Sequence, residues 1–357
     1  MLKIINSPTK YVQGPGEIKN LMNYYKTVGS IGPFFIVDPF ILKHYKDPLT
    51  EGFSSLKFQV EEFKGECSKN EINRLQEKVK SSGLDTIIGV GGGKALDTAK
   101  AVAHYLKLPV IIVPTIASTD APTSALSVVY TDEGVFDQYL LLPQNPNYVV
   151  VDSEVIANAP SRLLVAGMGD ALATYFEARS CMNGHNKTMS GGVTSLTALS
   201  LAKLSYDILL ENGHRAKLSC DENVNSYALE AVIEANTYLS GIGFESGGLA
   251  AAHSIHNGLT VIEKTHDYYH GEKVAFGVIA HLVLENAPSH EISQVIEFCK
   301  KVGLPTKLSD IGIKKIDPAK IMEVAKAACA EGETIHNMPF PVTPEIVYSA
   351  ILVADKL

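Results

Sequence analysis

The N-terminal part of the chain contains four short runs rich in Ile and Val, separated by longer polar or amphipathic stretches. The runs are PFFIVD (33–38), DTIIGVGGG (85–93), PVIIVPT (109–115) and NYVVVD (147–152). Strands that are buried on both faces of a parallel sheet read as continuous apolar runs of this kind. Between two of the runs, the stretch from Ser68 to Ser81 combines charges with apolar residues at helical spacing. This alternation predicts an α/β fold with a Rossmann-like doubly wound parallel sheet.

One segment departs from the alternation. In SALSVVYTDEGVFDQYLLLP (124–143), two β-prone stretches flank the tetrapeptide Thr131-Asp132-Glu133-Gly134. Turn residues between two such stretches are typical of a hairpin. We therefore expect a β-hairpin attached to the parallel sheet.

The composition changes after Pro160, where long stretches rich in Ala and Leu begin. These stretches predict an all-α C-terminal domain. We place the domain boundary near residue 160, with residues 1–160 forming the α/β domain and residues 161–357 forming the helical domain. Ser161 is expected to cap the first of these helices, and Gly213 and Gly303 are expected to end two later ones.

Charge and hydropathy exclude several classes of partner. The 357 residues include 31 Lys and Arg against 39 Asp and Glu, a formal net charge of −8 without any basic run, so we expect no nucleic acid partner. No stretch approaches about 18 consecutive apolar residues. The apolar residues at the start of the chain are too few for the apolar region of a signal peptide. We therefore expect no membrane partner and a cytoplasmic location. The five cysteines include no C-x-x-C pair and are expected to stay reduced.

A glycine-rich segment, GVGGGKA (89–95), follows the second apolar run and leads into a predicted helix. Free backbone N–H groups at such a helix start bind nucleotide pyrophosphate, and glycine lets the ligand come close. The segment is not the dinucleotide fingerprint, since the third glycine would fall at Lys94, nor a P-loop, since Ala95 follows that lysine. A tight turn without a ligand is the alternative. The candidates for cofactor binding are Gly91, Gly92, Gly93 and Lys94.

Asp38 ends the first apolar run, a position from which a carboxylate accepts hydrogen bonds from an adenosine ribose. Such a carboxylate would select NAD over NADP, because the additional phosphate of NADP would meet a negative charge. The alternative is that Asp38 simply caps a helix or turn before Pro39.

Four of the 11 histidines fall between residues 253 and 270. His253 and His256 are spaced i and i+3, on one face of a predicted helix that is otherwise small and apolar. Asp170 likewise stands in an apolar helical stretch, and a buried carboxylate is normally paired or metal-bound. One Asp and two His would leave coordination positions open on a catalytic Zn²⁺. The alternative for the two histidines is a hydrogen-bonded pair in the core.

Five motifs occur together in one order: GGGKALDTAK, PTIASTDAPTSALSVVYTDEG, GMGDALATYFEA, ESGGLAAAHSIHNGLT and YYHGEKVAFG. Taken together, they make the chain resemble, nearly end to end, the glycerol-oxidising members of the iron-containing (group III) alcohol dehydrogenase superfamily. The resemblance implies NAD-dependent, zinc-dependent oxidation of glycerol to dihydroxyacetone, and of related vicinal diols, by hydride transfer from carbon 2 to NAD⁺. It also implies an NAD-binding N-terminal domain, a helical metal- and substrate-binding domain, and a homo-oligomer, commonly an octamer.

The resemblance also implies roles for individual residues. The zinc ligands match Asp170, His253 and His270. A contact to the glycerol hydroxyls matches Asp120, and a histidine near the nicotinamide that takes part in proton release matches His256. Iron-type relatives carry a further His one turn after the Asp ligand, where this chain has Thr174, so one zinc ion per subunit is favoured over iron. The NAD contacts match Asp38, Gly93, Lys94, Thr115, Ser118, Ser124, Leu126 and Tyr130.

Other activities of this architecture remain as alternatives. A glycerol-1-phosphate dehydrogenase would need cations for the phosphate, and a dehydroquinate-synthase-like lyase would need several Lys and Arg side chains. Around the metal motifs the chain has Lys264 and Lys273 but no Arg from residue 216 onward. A densely basic site is therefore not expected. A third alternative is a non-catalytic NAD-binding protein. That alternative would not explain why Asp and His side chains lie in apolar helices.

Overall fold

The computed structural model describes residues 1–357, which form eight strands and fourteen α-helices. The strands are β1 (Lys10–Gly14), β2 (Pro33–Val37), β3 (Gln59–Glu62), β4 (Thr86–Gly91), β5 (Val110–Pro114), β6 (Leu126–Tyr130), β7 (Phe136–Leu141) and β8 (Tyr148–Asp152). The helices are α1 (Leu21–Tyr25), α2 (Pro39–Thr50), α3 (Lys69–Ser82), α4 (Gly93–Leu106), α5 (Ser153–Ala157), α6 (Ser161–Gly184), α7 (Leu196–Asp221), α8 (Tyr227–Glu234), α9 (Ser240–Gly247), α10 (Ala251–Leu259), α11 (His270–Leu284), α12 (Ser289–Val302), α13 (Pro318–Ala328) and α14 (Pro344–Ala354).

Six strands form one parallel sheet in the order β1-β8-β5-β4-β2-β3. The chain continues from β2 to β3 on one side of the sheet, and from β4 to β5 on the other. The carboxyl ends of β2 and β4 therefore flank the switch point at which open α/β sheets bind their ligands. The predicted fold class, a doubly wound parallel sheet with a helical C-terminal half, is confirmed.

The predicted hairpin is present as the antiparallel pair β6 and β7. Its connection closes where the Thr131 N–H donates to the Val135 carbonyl at 2.8 Å. The four predicted apolar runs are β2, β4, β5 and β8, while the two edge strands β1 and β3 were not predicted. The edge strands are short, polar and partly exposed, so they lack the apolar run of a central strand.

The helical half departs from the prediction at two positions. Ser161 is the first residue of α6 and donates to Asp221 Oδ1 at 2.5 Å, so the cap position falls on Pro160 and the predicted cap is wrong by one residue. Gly213 lies inside α7, buried against Phe298, because close helix packing rather than a helix end requires a small residue there. Gly303 ends α12 as predicted.

Buried side chains from the sheet and from the helices form one continuous cluster of 68 residues. The sheet ends at Asp152 and α6 begins at Ser161, and the division of the chain at residue 160 stays a prediction. None of the helices is both long and apolar enough to cross a membrane. The five cysteines are all free thiols.

Candidate active site

Three helices bring the predicted metal ligands together. Asp170 lies in the middle of α6, His253 lies on α10, and His270 is the first residue of α11. Each side chain offers one atom that could bind a metal, and these three atoms lie within 4.8 Å of one another. Asp170 Oδ1 accepts from Nε2 of His253 at 3.2 Å and from Nε2 of His270 at 3.1 Å. Asp170 and His253 are buried, whereas the His270 side chain is 38% exposed, so the cluster opens toward solvent on the His270 side.

Close packing of α6 against the start of α11 sets the approach of Asp170 to His270. A methyl group on Gly271 would lie 1.8 Å from the Ala166 carbonyl oxygen. Only a glycine at position 271 therefore lets the two helices come this near. The first turn of α11, with His270, is thereby held over the middle of α6.

Glu177 is a residue of this site that the sequence analysis missed. Its side chain is fully buried, and its Oε2 lies 2.6 Å from His253 Nδ1. Its Oε1 accepts the backbone N–H groups of Ala250 at 2.9 Å and of His253 at 3.0 Å. A carboxylate on Nδ1 fixes the imidazole orientation and aims Nε2 at the metal position. The available signal was its spacing, because Glu177 follows Asp170 by two turns of the same helix.

Opposite charges govern the ionisation of this cluster. Burial alone would raise the pKa of Asp170, but the positive charges of His270 and His253 hold that pKa far below its usual range. Burial alone would lower the pKa of His253, but the carboxylates of Glu177 and Asp170 raise it well above the usual value. The carboxylates of the cluster therefore favour positive charge at this position. A divalent cation that binds there would displace imidazole protons.

Asp120 lies beside the cluster on the loop that follows β5. Its backbone N–H donates to Asp170 Oδ2 at 3.2 Å, and its Oδ2 accepts from the Ser240 hydroxyl at 2.8 Å. Burial and then the negative charge of Asp170 raise the pKa of Asp120. Thr174, one turn after Asp170, shares a hydrogen bond of 2.8 Å with Ser240 and offers no nitrogen ligand.

His256 lies next to the cluster, with its ring centroid 4.2 Å from that of His270. Asn257 Nδ2 donates to Glu333 Oε2 at 3.0 Å, so the Asn257 Oδ1 acts as the acceptor for His256 Nδ1 at 3.0 Å. This arrangement places the proton of a neutral His256 on Nδ1 and leaves Nε2 as an acceptor. Burial and then the charges of His270 and Lys273 hold the pKa of His256 well below its usual value. Asn257 and Glu333 were not singled out from the sequence.

The glycine-rich segment joins β4 to α4 at the sheet switch point, with Gly91 ending the strand and Gly93 starting the helix. Asp38 follows β2 directly, and its N–H donates to the Val90 carbonyl at 2.9 Å. Its Oδ1 accepts from the Phe40 N–H at 2.9 Å and caps α2, which leaves Oδ2 available. The structure therefore shows the helix cap, and a ribose contact through the other oxygen remains compatible with it.

The other predicted NAD contacts lie around the same crevice. The Thr115 N–H donates to the Gly91 carbonyl at 3.1 Å, and Ser118 is partly buried on the loop that follows. Lys94 is exposed, pairs with Glu66 and lies 5.1 Å from the Tyr130 ring centroid. Ser124 and Leu126 are buried at the start of the hairpin.

The loop after β5 connects the two groups of residues. It begins at Thr115, whose N–H donates to the Gly91 carbonyl of the glycine-rich segment, and ends at Asp120, whose N–H donates to Asp170 Oδ2. Midway, Asn236 Nδ2 donates to the Ala117 carbonyl at 2.9 Å. A single short segment therefore joins the switch point of the sheet to the Asp–His–His cluster.

Comparison with known proteins agrees with this architecture. Residues 8–153 match the family described as iron-containing alcohol dehydrogenase. The chain is 55% identical to the glycerol dehydrogenase of Citrobacter freundii, with 100% of this chain and 98% of that protein covered. It therefore belongs to the glycerol dehydrogenase family of iron-containing alcohol dehydrogenases and is an oxidoreductase.

Two solved structures share the whole fold. A probable glycerol dehydrogenase from Sinorhizobium meliloti 1021 superimposes with a TM-score of 0.94 at 45% identity, covering 99% of each chain. The glycerol dehydrogenase of Schizosaccharomyces pombe superimposes with a TM-score of 0.96 at 38% identity, covering 99% of this chain and 91% of that one. The sheet and the helical half thus keep the arrangement seen in these relatives.

The residues present fit both groups that the family implies. One carboxylate oxygen and two imidazole nitrogens, with a carboxylate behind one imidazole, are a donor set for zinc or iron(II). A helix start at the switch point, beside a carboxylate with one available oxygen, is a cradle for a dinucleotide.

Proposed function

We propose that this protein oxidises glycerol to dihydroxyacetone, transferring the hydride of carbon 2 to NAD⁺ with one zinc ion per subunit at Asp170, His253 and His270. The observation that carries the proposal is the loop from Thr115 to Asp120, which links the glycine turn to the metal cluster. A nucleotide on the turn and a polyol on the cluster would then share one crevice. The 55% identity to a glycerol dehydrogenase supports glycerol as the substrate.

Each group of side chains has a defined task in this reaction. Asp170, His253 and His270 hold the metal, and Glu177 holds His253 in place. Bound zinc supplies Lewis acidity that makes an alcohol hydroxyl easier to deprotonate, and bound NAD⁺ supplies the hydride acceptor.

Asp120 and His256 act on the substrate and on its proton. Asp120 is fixed through Oδ2 by Ser240, so Oδ1 accepts a hydrogen bond from a second hydroxyl of the polyol and orients it. His256 keeps Nε2 free through its bond to Asn257 and accepts the hydroxyl proton. Zinc is proposed over iron because Thr174 offers no further nitrogen ligand. The cytoplasmic location and the homo-octamer implied by the resemblance stay predictions.

The test is NADH formation, followed by absorbance, from glycerol and NAD⁺ before and after chelator treatment and zinc restoration. We expect rapid formation that chelation abolishes and zinc restores, with little activity on NADP⁺ or glycerol 1-phosphate. Asp170→Asn is expected to abolish turnover and to leave NADH binding nearly intact, because the nucleotide turn lies on other elements. Full activity after thorough metal removal would refute the zinc role.

A further inference from the structure

Helix α4 carries a buried ion pair that the proposed chemistry does not use. Lys100 is 1% exposed and Asp97 is 5% exposed, and Lys100 Nζ lies 2.8 Å from Asp97 Oδ1. Lysine is almost never fully buried, because removing an ammonium from water is costly unless polar groups replace the water. The partners of this pair therefore indicate what it does.

The partners of Lys100 belong to one segment, residues 121–128, which follows Asp120 and starts the hairpin. Lys100 Nζ donates to the carbonyl oxygens of Ala121 at 2.9 Å and Leu126 at 2.5 Å. The carbonyl and the hydroxyl oxygen of Ser124 both lie 3.4 Å from the same nitrogen. One ammonium thus supplies its donors to carbonyls on both sides of Ser124.

Asp97 holds the next part of the same segment. Its Oδ2 accepts the Val128 N–H at 3.0 Å, and its main-chain carbonyl accepts the Ser127 hydroxyl at 2.9 Å. Burial raises the pKa of Asp97, and the charge of Lys100 partly offsets that effect. The two side chains together bind residues 121–128 to α4.

The position of α4 gives these contacts a consequence for the nucleotide. The helix begins at Gly93, within the glycine turn, and Asp97 and Lys100 follow about one and two turns later. Ser124 and Leu126, two of the predicted NAD contacts, lie in the segment that the pair holds. One rigid helix therefore spans both walls of the nucleotide crevice.

We propose that Asp97 and Lys100 are positioning residues for the nucleotide, which fix residues 121–128 at a set distance from the glycine turn. The inference rests on the proposed function, because it takes the nucleotide to be NAD. An apolar pair in the same place would remove the ammonium donor from the Leu126 carbonyl and leave the Ala121 carbonyl only its bonds from Ser124. The segment would then shift to form hydrogen bonds with water. The crevice would change shape, while the metal cluster would keep its arrangement.

Lys100→Met is the direct test, because it keeps most of the side-chain volume and removes every donor. We expect the Kd for NADH, measured by fluorescence titration of the zinc-loaded protein, to rise about tenfold or more, since buried acceptors lose their partners. The zinc content is expected to stay at the wild-type value. A Kd within about twofold of wild type in the folded variant would overturn the proposal.

Arg179→Met is the matched control for a loss of stability alone. Arg179 is 25% exposed on α6, pairs with Glu285, and donates to Glu291 Oε1 at 2.7 Å. Its removal also breaks partly buried ion pairs, but none of them touches α4 or the hairpin. We expect a lower melting temperature with an unchanged Kd for NADH. An equal rise of Kd in both variants would show that Lys100 acts only through general stability, against the proposal.

Asp97→Asn is the second test of the proposal, for use if the Lys100→Met variant does not fold. It keeps an oxygen for the Val128 N–H and removes only the charge, so we expect a smaller rise in the NADH Kd, about threefold. An unchanged Kd in this variant would count against the proposal in the same way. Wild-type protein that binds NADH without oxidising glycerol would refute the proposed function alone. The comparison of NADH Kd values between wild type and variants would still test the positioning role. Wild-type protein that binds no NADH would overturn both.

Discussion

Glu177 shows how a single buried carboxylate sets the geometry of the Asp170, His253 and His270 cluster, the proposed metal site. It accepts from His253 Nδ1 and from two backbone N–H groups, so it fixes both the imidazole and the first turn of α10. We expect Glu177→Gln to weaken zinc retention about 10- to 100-fold, because the ligand orientation and the basicity of Nε2 both depend on this partner. Competition with a chromophoric chelator measures that affinity, and excess zinc should restore turnover.

Glu285→Gln is the control for Glu177→Gln. Glu285 is a carboxylate with a side chain 13% exposed, and it lies 3.7 Å from Nε2 of His281, away from the cluster. Zinc affinity is expected to stay at the wild-type value in this variant. If Glu177→Gln also kept wild-type affinity, the orienting role of Glu177 would be wrong.

Asp38 combines a helix cap with a proposed ribose contact, and the two roles can be separated. Asp38→Gly is expected to lower the ratio of kcat/KM for NAD⁺ over NADP⁺, because it removes the negative charge that would face the additional phosphate. The lost cap costs only a few tenths of a kcal/mol when glycine replaces aspartate. Steady-state kinetics with both cofactors measures the ratio.

Asp317→Gly offers a matched control for the cap. Asp317 also precedes a proline, and its Oδ1 accepts the Ala319 N–H at 2.9 Å, the same distance as in the Asp38 cap. The variant loses an equivalent bond at α13 and is expected to keep the cofactor ratio. An unchanged ratio in Asp38→Gly would leave the residue as a cap only.

Residues of the site were predictable where their chemistry conflicted with their surroundings. Asp170 and His253 are polar groups within apolar helical stretches, and the structure brings both to one cluster. Their meeting with His270 depends on the packing of α6 against α10 and α11, which lie far from it in the chain, and local patterns do not encode that packing. Glu177 was missed because its contact with His253 depends on the packing of α10 against α6, and the sequence shows only its position two turns after Asp170.

At the scale of elements, Gly89 controls the packing of α4 on β4. A methyl group at this position would lie 2.4 Å from the Ala99 side chain, closer than two carbon atoms can approach. We expect Gly89→Ala to destabilise the fold by about 1–3 kcal/mol, as overpacked cores do, and to lower the melting temperature. Thermal unfolding followed by circular dichroism measures the change.

Gly93→Ala provides the comparison for Gly89→Ala. Its nearest neighbour outside the turn is Thr119 Oγ1, at 3.7 Å from an added methyl group, which is ordinary contact. The melting temperature of this variant is expected to stay close to wild type. Equal losses in the two variants would contradict the packing argument.

The elements that sequence patterns missed share a physical cause. The edge strands β1 and β3 have one neighbouring strand each, so KYVQG and QVEE need no continuous apolar run. Gly213 read as a helix end because glycine is common there, but tertiary packing placed it inside α7. Central strands were predictable because burial on both faces leaves a strong local signal.

At the scale of the whole molecule, the first residues of the chain are bound to the helical half. The Asn6 N–H donates to Ser246 Oγ at 3.0 Å, and the Val193 N–H donates to the Leu2 carbonyl at 2.9 Å. Glu245 on α9, which is 4% exposed, accepts a further bond from Asn6 Nδ2 at 3.1 Å. The sheet and the helices are therefore held together by polar contacts as well as by their shared core.

Glu245 accepts hydrogen bonds from three separate parts of the chain. Its Oε1 accepts from Asn6 Nδ2 at 3.1 Å and from the Ala125 N–H at 3.2 Å, and its Oε2 accepts from Asn145 Nδ2 at 2.6 Å. Glu245→Ala leaves the buried Ala125 N–H unpaired and removes one bond each from Asn6 and Asn145, the second of which keeps its bond to the Thr123 carbonyl at 2.8 Å. A buried unpaired donor costs about 1–3 kcal/mol. We expect a clearly lower melting temperature, measured by scanning calorimetry. A single transition is expected because the core is continuous.

Glu211→Ala is the control, because it breaks only the exposed pair with Arg215, and it should change the free energy of unfolding by less than about 0.5 kcal/mol. A wild-type melting temperature in Glu245→Ala would show that the shared apolar core alone joins the two halves.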